Sequence, residues 1–511
     1  MSGPRPHVPH PRRIVIIGGG ISGLAAAHRL LELREQADRR LEVLLLESSD
    51  RLGGVMGSSY RDGFVLERGP DSFISEKPWA LALSERIGLT PHLVGTNDEH
   101  RRNFVVHGGR LHPLPDGFLM MAPTRFLPLL RSSLFSWPGK LRMGCDLLLP
   151  RAPEQDDESL GAFVTRRLGR EALERVVQPL VGGIYTADPD ELSLAATMPR
   201  FLQMERERGS VIRSMWSQAR AARTRSQRSG ARWSLFVSVD RGMQGLVDAL
   251  AKQLPPATIR LNCTAKALHP GVRPLSQRGQ RPQGARDSRA GAHPDGNQET
   301  HEDRQLRWQI ETDAATIECD AVILATPAHR SAALLAPLDA GLAEELGGIG
   351  YTSSATISLA YRRDQVPDRL DGFGFVVPRI EGRGIIACTY SSVKYPGRAP
   401  AGHVLLRAFV GGAFQEELVQ RDDGELLALV RRELEQLLGI REVPLFDEIH
   451  RHWQAMPQYR VGHLVRLRRI EERLSQHPGL QLAGNGYRGV GVPDCIHSGE
   501  SAAEALYQSL C

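Results

Sequence analysis

The chain has 511 residues, more than a single hydrophobic core accommodates, so two or three domains are expected. Hydrophobic residues make up 41% of the sequence and charged residues 24%, which excludes a fibrous, collagen-like or wholly disordered protein. The net charge of +5 is too small and too dispersed to indicate a nucleic-acid-binding surface by itself, and no nucleic-acid partner is predicted.

The sequence gives no indication of export or of a membrane span. Residues 1–12 are a Pro-, His- and Arg-rich arm, predicted to be flexible and without the apolar core of a secretory signal. No stretch of 18 residues lacks a charged side chain, so a membrane-spanning helix is not expected. The six cysteines show no C-x-x-C spacing, which is typical of a reduced, cytoplasmic protein without a structural zinc site.

The first regular elements are predicted around a run of glycines. Residues 14–17 (IVII) form a strand, residues 21–36 carry apolar side chains at helical spacing, and residues 41–46 (LEVLLL) form a second buried strand. This strand–helix–strand order predicts a parallel sheet and an α/β fold of the Rossmann type.

A dinucleotide-binding motif occupies the turn between that strand and helix. Gly18 allows a tight turn, Gly20 lets the backbone approach a pyrophosphate, and Gly23 allows close packing of the helix on the sheet. The N–H groups at the start of the helix attract phosphate. Glu47, at the end of the second strand, is suited to hydrogen-bond a ribose and disfavours NADP.

Two central regions differ in composition from the first domain. Residues 113–150 mix Leu, Met, Phe and Trp with isolated basic residues and prolines, which predicts short helices with exposed apolar faces. Such helices either pack on one another or lie in the headgroup layer of a membrane. Residues 271–305 are almost free of aliphatic side chains, so they are predicted to be a disordered insertion; an RNA-binding role is disfavoured because no aromatic residue accompanies the arginines.

The chain continues as an α+β region and ends on a second glycine-rich turn. Residues 306–311 and 315–319 predict a hairpin, residues 320–327 a buried strand, and residues 422–439 an amphipathic helix. Near the end, a strand at 480–484 precedes the sequence NGYRGVGV, and a helix begins at Pro493.

These features together favour FAD over NAD, although both nucleotides share the first motif. The segment Arg51-Leu52-Gly53-Gly54 supplies a second close backbone approach just after Glu47. The helix that follows the C-terminal turn directs its positive end toward a group that gains negative charge on reduction, as a flavin does. One chain therefore carries sites for both ends of a long dinucleotide.

Several ordered motifs resemble the oxygen-dependent protoporphyrinogen/coproporphyrinogen oxidase family. The matching segments run from residue 13 to residue 508, apart from the insertion, and are residues 13–23, 67–73, 183–193, 390–400, 456–463 and 483–496. The segment Gly69-Pro70-Asp71-Ser72-Phe73 is more similar to the branch that uses coproporphyrinogen and is found in Gram-positive bacteria.

The resemblance implies a Rossmann-type FAD-binding domain with an α+β substrate domain and a helical subdomain that lies against the membrane in some members. The implied FAD-binding domain comprises 13–75, 234–270, 306–336 and 477–511; the substrate domain comprises 76–112, 210–233 and 337–476; the helical subdomain is 113–209. The implied FAD contacts are Gly18, Gly19, Gly20, Ile21, Ser22, Gly23, Glu47, Ser48, Arg51, Gly53, Gly54, Val55, Arg68, Gly69, Pro70, Asp71, Ala265, Asn485, Val490, Gly491 and Val492.

The resemblance also implies a substrate pocket and a reaction. Gly183 leaves room for the macrocycle, and Val376 and Tyr390 sandwich it; the latter two are equally well explained as sheet core. Where some members carry an arginine that meets a substrate carboxylate, this chain has Asn103, so Arg101 and Arg102 become the candidate partners.

The implied activity is oxidation of a porphyrinogen by O2 with release of hydrogen peroxide in heme biosynthesis. Coproporphyrinogen III is the favoured substrate, and protoporphyrinogen IX is the alternative; a flavin amine oxidase or carotenoid desaturase is a more distant one. No catalytic acid or base and no metal site is assigned, because no arrangement of side chains typical of either stands out. The sequence leaves open a homodimer, a transient contact with a ferrochelatase, and peripheral contact with the inner face of the membrane.

Overall fold

The structure of the protein is a computed structural model that describes residues 12–37, 40–119, 122–123, 125–153, 156–226, 234–271 and 307–510. In chain order the β-strands are β1 (Arg12–Ile17), β2 (Leu41–Leu46), β3 (Ser58–Arg61), β4 (Phe64–Glu67), β5 (Phe73–Ile74), β6 (Leu93–Gly95), β7 (Phe104–His107), β8 (Arg110–Pro113), β9 (Phe118–Leu119), β10 (Ala122–Pro123), β11 (Phe236–Val239), β12 (Ile259–Arg260), β13 (Ala265–Gly271), β14 (Arg307–Thr312), β15 (Thr316–Cys319), β16 (Ala321–Leu324), β17 (Tyr351–Arg362), β18 (Gly374–Val376), β19 (Ala387–Tyr390), β20 (His403–Gly411), β21 (Phe446–Pro457) and β22 (Leu480–Leu482).

In chain order the α-helices are α1 (Ile21–Gln36), α2 (Pro78–Arg86), α3 (Phe126–Arg131), α4 (Trp137–Gly144), α5 (Leu160–Leu168), α6 (Arg170–Ala172), α7 (Gln178–Tyr185), α8 (Leu194–Thr197), α9 (Pro199–Arg208), α10 (Val211–Ser226), α11 (Gln244–Lys252), α12 (Ala328–Leu335), α13 (Ala340–Gly347), α14 (Ser391–Lys394), α15 (Asp423–Leu438), α16 (His463–Leu474) and α17 (Val492–Leu510). A π-helical segment, Leu173–Val177, joins α6 to α7.

A parallel sheet of five strands, ordered β12-β2-β1-β16-β22, forms the centre of the nucleotide-binding part. Its central strands are buried on both faces, which explains why their sequences are continuous apolar runs rather than alternating ones. The strand–helix–strand unit predicted at the start of the chain is confirmed. Because all five strands are parallel, the turns after β1 and β22 leave from the same edge of the sheet.

Two layers cover this parallel sheet. One face packs against α1, α2, α11 and α17, and the other packs against the β13-β14-β15 sheet and the helices α12, α13 and α16. Helix α17 lies directly on α1, since a Cβ at Gly499 would collide with the carbonyl oxygen of Ser22. This close contact fixes the relative position of α1 and α17, the two helices that follow the glycine-rich turns.

A second sheet of seven strands, ordered β21-β17-β20-β19-β18-β7-β8, forms the α+β part. One face is apolar and packs under α15. The other face carries buried polar side chains, including Thr356, Ser358 and Arg407, and it meets the β3–β4 hairpin. A buried polar face needs partners, and the segment that follows β4 supplies them.

The helices from α3 to α10 form a separate apolar cluster. A buried ion pair lies within this helical part: Arg167 Nε is 2.6 Å from Asp146 Oδ1, and both side chains are almost fully buried. Asp146 also accepts hydrogen bonds from the Ser210 hydroxyl and the Ile212 amide, so the start of α10 is tied to this cluster. Helices with exposed apolar residues, predicted within 113–150, are present as α3 and α4.

Some segments pack with a different part of the protein from the one expected. Helix α2 and residues 337–349 and 463–476, assigned to the substrate domain, pack on the parallel sheet. The start of α10, within the assigned segment 210–233, joins the helical cluster instead. The sequence of an amphipathic helix shows that the helix has an apolar face, but it does not show which surface that face covers. The expectations for residues 1–11 and 272–306 lie outside the described residues.

Candidate functional site

The turn after β1 has the geometry of a phosphate cradle. Gly18 has a φ of 113°, and a Cβ there would lie 2.5 Å from the carbonyl oxygen of Ala325. A Cβ at Gly23 would collide with the carbonyl oxygen of Gly18, so this position keeps α1 tight against the turn. A Cβ at Gly20 would meet nothing within 4 Å. The open space lies where the motif predicts a pyrophosphate, next to Ile21 and Ser22 at the start of the helix.

Glu47 is held beside this turn by the backbone. Its carboxylate accepts a 2.7 Å hydrogen bond from Gly19 N and a 2.8 Å bond from Ser49 N. The hydroxyl of Ser48 also points to it, 3.3 Å away. Residues 262–263 run alongside, because Asn262 N donates to Ser49 O and Cys263 N donates to Glu47 O, and Ala265 follows at the start of β13.

The second glycine pair lies against the first turn, as the sequence predicted for a long ligand. Gly53 N donates a 2.9 Å hydrogen bond to Gly19 O, and a Cβ at Gly54 would be 3.4 Å from the Cα of Gly20. The side chain of Arg51 donates to Gly54 O over 2.7 Å and also to Met56 O. Arg51 therefore stabilises the turn. Val55, which follows Gly54, is exposed.

The segment from Arg68 to Asp71 is held on the polar face of the seven-stranded sheet. Arg68 O accepts hydrogen bonds from Thr356 Oγ1 at 3.0 Å and from His452 Nε2 at 2.8 Å. The buried guanidinium of Arg407 donates to the carbonyls of both Arg68 and Gly69. These donors fix the backbone before Pro70 in one position.

The segment touches the second glycine turn, and it carries an unpaired donor that fits a bound polar ligand. A Cβ at Gly69 would collide with the carbonyl oxygen of Val55, so the segment and the second glycine turn touch. Within the described residues, the buried Nε of Arg68 has no hydrogen-bond partner, and such orphaned donors are rare in folded proteins. A polar ligand at this position accounts for the unpaired donor of Arg68.

Asp71 ends the segment in an ion pair. Its carboxylate lies 2.8 Å from Nζ of Lys394, the last residue of α14. Burial acts to raise the pKa of Asp71, but the positive charges of Lys394 and Arg407 outweigh it and hold that pKa well below its usual range. Asp71 is therefore an anion at neutral pH. Its ion pair connects the segment from Arg68 to Asp71 to helix α14.

The C-terminal glycine-rich turn is clamped by two aromatic side chains. The Tyr459 hydroxyl donates to Asn485 O and accepts a 2.9 Å hydrogen bond from Gly489 N. His463 stacks on Tyr459 with ring centroids 4.1 Å apart, and its Nε2 donates to Tyr487 O over 2.8 Å. Three backbone groups of the turn are thereby fixed relative to β21 and α16.

The last predicted flavin residues lie where this turn enters α17. A Cβ at Gly491 would be 2.9 Å from Asp494 Oδ2, and Val492 is the first residue of the helix. Val490 packs against the apolar cluster of the helical part. The turn therefore joins the edge of the parallel sheet to the helical part.

Two of the predicted substrate residues face each other. A Cβ at Gly183, near the end of α7, would lie 3.9 Å from Val376 Cγ1 in β18. Val376 packs against the same helical cluster as Val490. Gly183 and Val376 therefore lie next to each other, at the helical part that Val490 of the C-terminal turn also contacts.

Tyr390 does not sandwich the substrate with Val376, and that expectation is wrong. The register pairs Val376 with Ala387 and Phe375 with Cys388. Since side chains alternate between the faces of a sheet, Tyr390 shares the face of Phe375 and Cys388, in the core under α15.

The predicted carboxylate partners of the substrate are already paired within the chain. Arg101 lies against Asp98, and Arg102 Nη1 is 2.6 Å from Asp371 Oδ2. Both side chains are exposed, and Asn103 contributes a backbone hydrogen bond to Leu114. Arg101 and Arg102 therefore neutralise carboxylates of this chain. This argues against their predicted role as partners of the substrate carboxylates.

Four residues of the site were missed by the sequence analysis. Tyr459, His463 and Lys394 lie within segments that carried the family resemblance, but no role followed from the motif alone. Arg407 had a usable signal, a lone charge in the apolar run HVLLRAFVG of a buried strand. Across the described ranges, no cluster of three or more His, Cys, Asp or Glu suits a metal ion.

Comparisons with known proteins agree with this geometry. The family described as flavin containing amine oxidoreductase matches residues 21–507. Coproporphyrinogen III oxidase of Bacillus subtilis (strain 168) is 35% identical, with 96% of this chain and 97% of that protein aligned. Protoporphyrinogen oxidase of Homo sapiens is 31% identical, with 97% and 98% aligned.

A solved structure from Exiguobacterium sp. 255-15 superposes with a TM-score of 0.79 at 33% identity, covering 97% of this chain and 99% of that one. The α/β fold with a flavin site, expected from the glycine motifs, is confirmed. The chain belongs to the flavin-containing amine oxidoreductase family, alongside the porphyrinogen oxidases.

Proposed function

We propose that this protein is an FAD-dependent oxidase that converts coproporphyrinogen III to coproporphyrin III. The observation that carries the proposal is the close approach of Gly183 and Val376, which defines the proposed substrate groove at the helical part that Val490 also contacts. A flat macrocycle needs a slot with no side chain at one wall, and Gly183 provides that wall. The similarity to coproporphyrinogen III oxidase of Bacillus subtilis supports this substrate.

The residues of the chain bind and orient the two reactants. FAD, when bound, supplies the two-electron acceptor. Glu47 and the glycine turns would hold the dinucleotide, Arg68 to Asp71 and the clamped turn at 485–490 would hold its other end, and Gly183 and Val376 would line the groove for the macrocycle. Over the whole reaction coproporphyrinogen III gives up six electrons and six protons, and three O2 are reduced to three hydrogen peroxide.

Protoporphyrinogen IX is the second candidate substrate, favoured by the 31% identity to the human protoporphyrinogen oxidase. The deciding experiment measures turnover of both porphyrinogens by the purified yellow protein, followed by porphyrin fluorescence and peroxide release. We expect a higher kcat/KM for coproporphyrinogen III. Turnover of an amine such as putrescine, with neither porphyrinogen oxidised, would overturn the proposal.

The size of residue 183 provides a structural test. Gly183→Leu should raise KM strongly or abolish turnover, because the new side chain would fill the groove beside Val376. Gly183→Ala is the matched control, since its Cβ fits at 3.9 Å from Val376 and should reduce activity far less. Both variants should keep stoichiometric FAD, measured by absorbance. Equal kinetics for both would place the substrate elsewhere.

We also propose that the helical part contacts an anionic membrane surface on the cytoplasmic side. Large apolar side chains are exposed on and beside α3 and α4: Phe126, Leu127, Leu130, Trp137, Leu141 and Leu148. Arg125, just before α3, and Arg131, at its end, are exposed as well and bring positive charge to this surface. None of the helices in the described ranges has the length and hydropathy needed to cross a bilayer.

Sedimentation with lipid vesicles tests the membrane proposal. We expect binding to vesicles that contain phosphatidylglycerol and weaker binding to neutral vesicles, with both reduced in the double variant Trp137→Ser, Leu141→Ser. Equal sedimentation with and without lipid would contradict the membrane proposal. We further propose a homodimer, which light scattering of the pure protein tests. We also propose a transient contact with a ferrochelatase, which co-migration of the two enzymes tests.

A further inference from the structure

One cation beside the substrate groove has no carboxylate assigned to it. Arg379 follows β18 by three residues, and its side chain is exposed. In the part of the chain that the structure describes, its guanidinium forms no ion pair and no hydrogen bond. Arg101 and Arg102 differ in this respect, because each is paired with an aspartate.

The position of Arg379 is nevertheless fixed. Its backbone N donates a 2.9 Å hydrogen bond to Oε1 of Gln178, at the start of α7. Its guanidinium lies over the ring of Phe414, with Cζ 4.1 Å from the ring centre. A guanidinium stacked on an aromatic ring loses less conformational freedom on binding an anion, and its N–H groups stay available at the edge.

The residues that hold Arg379 also line the cavity next to the groove. Gln178, Gly182, Val377 and Phe414 all border this cavity. Gly182 precedes Gly183 in α7, and Val377 follows Val376 in the chain, so the cavity lies next to the predicted substrate residues. The guanidinium of Arg379 therefore lies over a ring that borders this cavity, which we take as the rim of the space proposed for the macrocycle.

We propose that Arg379, stacked on Phe414, is the carboxylate anchor of the substrate pocket. It binds a propionate at the periphery of the macrocycle through a charge-assisted, two-pronged hydrogen bond. The anchor rests on the proposed function, since it needs a substrate that carries carboxylates. It acts on binding and on the choice between substrates, because a peripheral carboxylate lies away from the reacting carbons.

The anchor predicts a specific pattern of selectivity. Coproporphyrinogen III carries four propionates and protoporphyrinogen IX carries two, so more orientations of the former can reach a single cation at the rim. Loss of Arg379 should therefore reduce kcat/KM more for coproporphyrinogen III than for protoporphyrinogen IX. The change should appear as a higher KM, and kcat should stay within about twofold of the value for the parent protein.

The test compares four variants of the FAD-loaded protein. Arg379→Ala removes the anchor, Arg379→Lys keeps a charge without the planar fork, and Phe414→Leu removes the stacking ring. Arg441→Ala is the matched control, because Arg441 is 84% exposed, follows α15 and does not border the cavity. The probes are coproporphyrin III and its tetramethyl ester, with binding followed by fluorescence quenching.

We expect Arg379→Ala to weaken coproporphyrin III binding about tenfold and to leave the ester unchanged. Arg379→Lys should recover part of the loss, Phe414→Leu should lose less than Arg379→Ala, and Arg441→Ala should bind as the parent protein does. Unchanged binding in Arg379→Ala, or an equal loss for acid and ester, would overturn the anchor. If the parent protein oxidises neither porphyrinogen, the proposed function fails instead.

Discussion

At the scale of single residues, two glycines of one motif do different physical work. A Cβ at Gly20 enters open space, whereas a Cβ at Gly23 collides with the carbonyl oxygen of Gly18. The first glycine keeps room for the ligand, and the second lets the helix pack on the turn. The motif therefore combines a binding requirement with a folding requirement.

This difference predicts opposite outcomes for one substitution at the two positions. Gly20→Val should fold with a nearly unchanged melting temperature but lose FAD, because its side chain occupies the phosphate cradle. Gly23→Val should lower the melting temperature itself, because α1 must move away from the turn. Thermal unfolding and the flavin-to-protein absorbance ratio distinguish the two. A Gly20→Val protein that retains stoichiometric FAD would refute the assigned cradle.

At the scale of elements, the C-terminal turn depends on β21 and α16 for its shape. The Tyr459 hydroxyl satisfies both Asn485 O and Gly489 N, which lie on either side of Tyr487. A glycine-rich turn has many accessible conformations, so these bonds select the one that faces the flavin.

Removing that single hydroxyl should weaken flavin binding. Tyr459→Phe leaves two partly buried backbone groups unpaired, which costs about 1–3 kcal/mol, and part of this should appear as a roughly tenfold higher Kd for FAD. Tyr390→Phe is the matched control, because the buried Tyr390 hydroxyl has no partner within the described residues. Reconstitution of the flavin-free protein by fluorescence quenching measures both. The clamp is refuted if the two variants bind FAD equally well.

The β13–β14 hairpin predicts that the insertion is dispensable. Gly271 and Arg307 are paired in register, so their strands can be closed by a two-residue turn. Replacing residues 272–306 by Asn-Gly should leave FAD content and kcat intact, with a melting temperature that is unchanged or slightly raised. Loss of flavin or of most turnover would show that the segment contributes to structure or to partner binding.

At the scale of the whole molecule, buried histidines make stability depend on pH. Burial lowers the pKa of His28 in α1, His452 in β21 and His463 in α16 below 6.5. For His463 burial is the largest cause and the charges of Arg466 and Arg488 act in the same direction, so the pKa is lowered despite the opposing effects of the bond to Tyr487 and of Asp157. Each histidine is therefore neutral in the folded protein at neutral pH.

The sign of this effect follows from proton uptake. Below pH 6.5 the unfolded chain binds protons at these histidines before the folded protein does, so unfolding becomes more favourable as the pH falls. The melting temperature should decrease from pH 7.5 to pH 5.5 at constant ionic strength. His463→Gln should show a weaker decrease, because it retains a donor for Tyr487 O without titrating. A melting temperature that is constant over this range would contradict the prediction.

The sequence by itself determined the features that are local in the chain. The strand–glycine–helix units at both ends, the position of Glu47 and the hairpin around the insertion follow from spacing over a few tens of residues. Their physical requirements, a tight turn or a buried strand, are met by neighbouring residues, so the pattern suffices to predict them.

Only the tertiary structure decided the features that join distant segments. It placed Tyr390 on the opposite face from Val376, paired Arg102 with Asp371, and put Arg379 over Phe414. It also assigned α13 and α16 to the parallel sheet. These outcomes depend on sheet register and on which apolar faces meet. Such contacts between residues far apart in the chain leave no periodic signal in the sequence.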